Sequence, residues 1–185
     1  GLRYSVVDME MAGGLGAITS EKNVLLNSAW DAYEKVIAVR HGNEEDIWII
    51  TRKHDLDSYA AFLLTDSGIE DTPVISYSPN RPFQWLYGSM KISYNKKYLI
   101  AAYIQHAIPV NDPYSTYDIC SFDATTGNVV FMYILDPNIS GNSQTPNSVE
   151  FSPDSKLVYL CNWATSAGSD HFKVYQYDMS LIEDS

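Results

Sequence analysis

Four histidines, His41, His54, His106 and His171, are the side chains best suited to move protons or bind a metal near neutral pH, and they lie scattered among loops and strand ends. His41 and His54 flank one hairpin and could approach each other. No second ligand pair stands at a spacing that would complete a site, so surface or strand-end positions are the better reading. Asp55-Leu56-Asp57 comes nearest to a calcium loop, but neither a glycine nor a glutamate follows at ligand spacing. There is no Gly-x-Ser-x-Gly elbow and no Gly-x-x-x-x-Gly-Lys phosphate loop. Gly13-Gly14-Leu15-Gly16 lacks the third spaced glycine of a dinucleotide loop and reads as a turn. These residues assign no catalytic residue, no cofactor and no metal.

The loops carry the remaining chemistry. Segments 80–87, 106–117 and 162–172 are rich in Trp, Tyr, Asn, Pro and His, and connections of this kind are where β scaffolds bind. Trp85 or Trp163, beside Asn and Asp side chains, could stack on a sugar ring, with Arg81 and His106 as further ligand or partner contacts. The competing reading is that Trp48 and Trp163 pack between sheets while Trp30 and Trp85 cover sheet ends.

The elements that must hold these loops are repeated. An apolar strand ending in a turn-opening aspartate recurs at Asp8, Asp66, Asp123 and Asp178, separated by 58, 57 and 55 positions. Capping of the turn is the reading for all four, most clearly in Asp123-Ala124-Thr125-Thr126-Gly127, where the carboxylate can accept backbone amides and glycine supplies a positive φ. Three hairpins precede the later aspartates, turning at His41-Gly42-Asn43-Glu44-Glu45, Tyr94-Asn95-Lys96 and Ser152-Pro153-Asp154-Ser155.

A period of this size fits four strands and their turns. The expected fold is therefore all-β, a partial β-propeller of about three and a half four-stranded antiparallel blades, with helix close to nil. Residues 1–28 would end a preceding blade, and 29–80, 81–138 and 139–185 would be blades. The missing strands would lie before Gly1. Missing blades or a second copy would cover the open blade edges.

Composition narrows the partners. Twelve Lys and Arg against 23 Asp and Glu give a net charge of −11, which repels nucleic acid and anionic membrane alike. No stretch approaches the ~18 apolar residues of a membrane helix. Cys120 and Cys161 sit in strand-like runs as buried thiols, with a disulfide between adjacent repeats open in an exported protein.

Leu2-Arg3-Tyr4-Ser5-Val6-Val7-Asp8-Met9 with Gly13-Gly14-Leu15-Gly16, Asn23-Val24-Leu25-Leu26, Ala38-Val39-Arg40-His41, Asp46-Ile47-Trp48-Ile49 and Val149-Glu150-Phe151-Ser152-Pro153-Asp154 resemble the WD40-like propeller domain of large secreted or surface proteins of Bacteroidota. Some of those proteins carry a type IX secretion signal or are gliding-motility-associated. The resemblance implies an extracellular or cell-surface location and a non-enzymatic binding or scaffold module that meets protein or glycan through its blade loops. The alternatives are a lectin-like propeller and a propeller enzyme acting on polysaccharide or peptide.

Overall fold

Strand alternation decides the layering. In the run from Ile47, side chains 48, 50 and 52 share one face, and a sheet built on that pattern must bury it against a neighbour. The computed structural model describes residues 1–26, 32–53, 58–78, 88–103, 116–135, 144–166 and 169–183, the side chains of 144–145, 163–171 and 183 excepted. Every strand pair among the described residues is antiparallel. The described residues are all-β apart from two four-residue helical turns.

The first 26 residues form a broken hairpin. β1 (Arg3–Tyr4) pairs β4 (Val24–Leu25), β2 (Val7–Asp8) pairs β3 (Ala17–Ile18), and the turn α1 (Met11–Gly14) lies between β2 and β3. Sheet A holds β5 (Ala32–Arg40), β6 (Ile47–Lys53) and β7 (Ser58–Thr65). Its fourth position is shared by β8 (Gly68–Ile69) and β9 (Val74–Tyr77), which pair opposite ends of β7. Sheet B runs β10 (Met90–Ile92), β11 (Tyr98–Tyr103), β12 (Thr116–Phe122) and β13 (Val129–Leu135) in order. Among the described residues sheet C has three strands, β14 (Gln144–Phe151), β15 (Leu157–Ser166) and β16 (Ser169–Asp178).

A turn and a fourth strand were expected after Asp178. The helical turn α2 (Ser180–Glu183) stands there instead. Met179 and Ile182, three residues apart, are both buried against the core that includes Tyr177, and a single helical turn is the geometry that puts such a pair on one side.

The sheets pack face to face in series. Leu26, Leu2 and Tyr4 of the hairpin rest on Ala60 and Phe62 of sheet A. Trp48, Ile50 and Ala61 of sheet A meet Leu99, Ala101 and Phe122 of sheet B, and the other face of sheet B packs Ile100 and Ile119 against Val149, Phe151 and Leu160 of sheet C. β11 is therefore buried along its whole length. That is why Tyr98-Leu99-Ile100-Ala101-Ala102-Tyr103 reads as a continuous apolar run rather than an alternation.

Candidate functional site

The first strands of the three sheets come together. β10 lies beside β5 on one side and β14 on the other. Two hydrogen bonds tie the start of β10 to β14: Ser89 N–H donates to the Asn147 carbonyl at 2.8 Å, and Val149 N–H donates to Ser89 Oγ at 2.8 Å. Along this junction runs a groove of about 550 Å³, lined by residues 36–40 of β5, by Met90, Lys91 and Ile92 of β10 and the turn that follows, and by Glu150 of β14. Its rim is charged. Lys91 and Glu150 form a half-exposed ion pair of 2.8 Å, and Lys96 pairs with Glu44 across sheets B and A. A concave site of this size that mixes apolar and polar side chains falls in the range of small-ligand pockets.

A second cluster closes the interface of sheets A and B at its opposite, loop end. Arg52 and Asp118 are both fully buried, and Arg52 Nη1 donates to Asp118 Oδ2 at 2.7 Å, to Tyr103 Oη at 2.8 Å and to Tyr59 Oη at 2.9 Å. The two tyrosine hydroxyls are 3.0 Å apart, and the guanidinium carbon lies 4.7 and 4.8 Å from their ring centres. Burial holds both phenols well above their ordinary range and pushes the Cys120 thiol up to about 12. The next interface ends on a polar pair of its own, where Tyr117 Oη donates to Asn162 Oδ1 at 2.5 Å. Each sheet pair is thus keyed by buried polar side chains that fix how one sheet sits on the next.

Lys35 is the other buried cation here, with its ammonium 4.8 Å from the Tyr103 ring centre. Burial first, and then the Arg52 charge, lower its pKa to about 7. The unfolded lysine titrates near 10.4, so between about pH 7 and that value the unfolded chain binds more protons and stability rises with pH. Wild-type protein should withstand more urea at pH 8.5 than at pH 6.5. Lys35→Met should be more stable than wild type at the lower pH and show a smaller difference between the two. An unchanged pH slope in Lys35→Met would show that Lys35 is not the group responsible.

The turn end is built from side-chain caps. Asp123 Oδ1 accepts Thr125 N–H at 2.8 Å and its Oδ2 accepts the Thr126 hydroxyl at 2.8 Å, which together hold its carboxyl below the usual range. Asp8 and Asp178 each accept the backbone N–H two residues on, at 2.9 Å. Asp66 differs. Its carboxylate takes the Ser67 hydroxyl while Thr65 Oγ1 accepts the Ser67 amide, because a tighter turn brings the preceding hydroxyl within reach first.

Across the A–B interface, His41 Nε2 lies 2.9 Å from the Thr125 carbonyl and His41 Nδ1 accepts Asn43 N–H. That pairing places the ring proton on Nε2 and uses both nitrogens in the turn. Trp48 Nε1 donates to the Ala124 carbonyl at 2.8 Å, and its ring lies against Gly127, where a Cβ would sit 2.9 Å from it at a φ of +74°. Gly127→Ala should therefore cost about 1–3 kcal/mol through strain and a displaced Trp48. Thermal unfolding would check it, and an unchanged Tm would contradict this packing.

Among the described residues, no three or more His, Cys, Asp or Glu side chains gather as a metal site. Cys120 and Cys161 are both free. Cys120 faces sheet A with Leu99 and Phe122, whereas Cys161 alternates with Leu160 and Asn162, which point into the B–C core, so the thiols look in opposite directions. Trp30, His54, Asp55, Asp57, Arg81, Trp85 and His106 lie outside the described residues. Trp163 falls within β15, paired with Phe172, and its side chain, like that of His171, is outside them too.

Sequence reasoning passed over Lys35, Arg52 and Asp118. The available signal was a charge set inside an apolar strand run, Ile47-Trp48-Ile49-Ile50-Thr51-Arg52 and Tyr117-Asp118-Ile119-Cys120, on the face that alternation assigns to the core.

No protein-family model and no curated protein matches the chain. Among solved structures it is similar to a candidate 6-phosphogluconolactonase of Bacteroides fragilis, at 11% identity and a TM-score of 0.47, over 77% of this chain and 38% of that one. That protein is described as an enzyme; the expectation that this chain is not one is withdrawn, and a likeness at this level assigns the chain no activity. Missing short motifs exclude only catalysts that have such motifs. Carboxylates or histidines converging from separate loops leave no local signature.

Proposed function

We propose that residues 1–185 are part of a β-propeller of four-stranded blades, and that it serves as a binding or scaffold module of a secreted or cell-surface protein of the Bacteroidota type. The serial packing of sheets, with β5, β10 and β14 side by side where an axis would run, supports the propeller. The observation that carries the binding role is the groove beside those strands. It is concave, mixes apolar side chains with Arg40 and the ion-paired Lys91 and Lys96, and lies in a chain of net charge −11. A glycan or peptide from outside the module is the ligand of matching size and polarity.

A panel of bacterial and host polysaccharides and peptides, titrated by calorimetry, tests the reading. We expect saturable binding by one class. The pair Arg40→Ala and Lys91→Ala should weaken it at least about tenfold, a difference of 1.4 kcal/mol, with little change in Tm, since exposed ion pairs contribute under about 1 kcal/mol. Full affinity in the double variant, or no saturable ligand at all, would remove the groove as the binding site. Loss of the chain from intact cells on protease shaving would support the surface location, and complete protection would oppose it.

A further inference from the structure

The turn between β10 and β11 carries an aromatic side chain that stays largely outside the core. The three hairpin turns place Glu44, Lys96 and Ser155 at the same left-handed position, and two residues earlier stand Gly42, Tyr94 and Pro153. Gly42 is pressed against the next sheet, where a Cβ would sit 2.8 Å from the Thr125 hydroxyl. Tyr94 is instead 61% exposed and lines the groove beside β5, β10 and β14. Its backbone is nonetheless held on every side. Ser93 Oγ accepts Tyr98 N–H at 3.0 Å and donates to Asn95 Oδ1 at 2.7 Å, Asn95 N–H donates to Ser155 Oγ of sheet C at 2.9 Å, and Lys96 pairs with Glu44 of sheet A. The ring is thus presented on a turn tied to both neighbouring sheets, which lowers the entropy lost when a ligand covers it.

The same groove holds a cation without a carboxylate in ion-pairing reach. Among the described residues, Lys91 is answered by Glu150 and Lys96 by Glu44, and no ion pair answers Arg40. Arg40, exposed at the end of β5, donates from Nη1 to the Glu44 carbonyl at 2.8 Å, a neutral acceptor that leaves most of the five guanidinium donors available. The Glu44 carboxyl is held below its usual range by Lys96 first, with Arg40 a lesser cause. A peptide read through its backbone needs a continuous strand edge, whereas this groove crosses three sheets with only the three residues of β10 between β5 and β14. A sugar ring needs an exposed aromatic face and a few directional polar groups, and Tyr94 and Arg40 are of those types.

We propose that the groove takes the acidic unit of a glycan, a pyranose that carries a carboxylate, with the Tyr94 ring against the sugar face and the Arg40 guanidinium on the carboxylate. The inference rests on the groove being the binding site and names what that site reads. At physiological ionic strength, charges more than ~8 Å apart are largely screened, so one guanidinium in contact outweighs a net charge of −11 spread over the chain. A short uronate oligomer suits this arrangement better than a long polyanion, whose remaining carboxylates would meet the acidic surface.

The probes are trimers of galacturonate, glucuronate, mannuronate and guluronate, each beside its carboxyl-reduced neutral counterpart, titrated by calorimetry into the purified protein. One uronate trimer should bind saturably, and its neutral counterpart at least about tenfold more weakly. Arg40→Gln should weaken the uronate at least about tenfold and leave the neutral trimer unchanged, whereas Tyr94→Ala should weaken both at least about tenfold. Both side chains are exposed, so thermal unfolding should be unaffected in either variant. Neutral trimers that bind as tightly as acidic ones, with Arg40→Gln without effect, would overturn the acidic ligand and leave the groove as a binding site. Saturable binding of a polyglutamate peptide in place of every trimer would do the same to the glycan. Binding by no trimer also overturns the proposal, and the groove itself falls only if the Arg40 and Lys91 double variant keeps full affinity for the ligand that the wider panel finds, or if that panel finds none.

Discussion

Asp118→Ala should destabilise the chain by about 3–5 kcal/mol, the range for removing one partner of a buried ion pair. The geometry explains why the loss is this large. Arg52 is fully buried, and its Nη1 group is shared among Asp118, Tyr59 and Tyr103, so deleting the carboxylate removes an acidic partner from a guanidinium charge buried between two sheets. Replacing both partners removes the charge as well as the bond. Arg52→Met with Asp118→Leu should therefore cost clearly less than the sum of the single changes, with a coupling of at least about 0.5 kcal/mol in a double-mutant cycle. Urea unfolding of the four proteins measures it. Additive losses, or a single-mutant cost under about 1 kcal/mol, would mean that the pair does not key sheet A to sheet B.

The second large effect is expected at Ile100. Its side chain is completely buried in the middle of sheet B, where it faces Val149, Val158 and Leu160 of sheet C. Ile100→Ala should cost about 2–5 kcal/mol, because β11 is held from both sides and the space cannot collapse. Val130→Ala, in the same sheet but on an exposed stretch of β13, should stay within about 0.5 kcal/mol of wild type. Similar losses at both positions would contradict the burial of β11 between two sheets. Either large loss is a substantial part of the ~5–15 kcal/mol that holds a domain of this kind folded.

The contrast between these sites shows what the sequence made legible. The hairpin turns could be read because their chemistry is local. Ser93 and Ser152 each accept the amide five residues on, Tyr98 or Leu157, and donate to Asn95 or Asp154. Glu44, Lys96 and Ser155 occupy the same left-handed position in the three turns. The burial of β11 was visible as an unbroken apolar run. The Arg52–Asp118 pair was not, since the two residues are 66 positions apart and meet only once register and sheet order are fixed. The groove is likewise a product of β5, β10 and β14 converging, and no single segment announces it. The α2 turn replaced an expected strand because the aspartate cap at Asp178 is compatible with either, and the Met179–Ile182 spacing decides between them through packing.

Repeated antiparallel sheets, stacked in series with their first strands at a common axis, are the central claim. A structure of the natural full-length polypeptide that contains residues 1–185 tests it most directly. The account predicts that β5, β10 and β14 line the axis of a closed ring and that further sheets cover the outer faces of the N-terminal hairpin and sheet C. A structure in which β10 is separated from β14, or in which sheet C ends at β16 with its outer face against solvent, would contradict it.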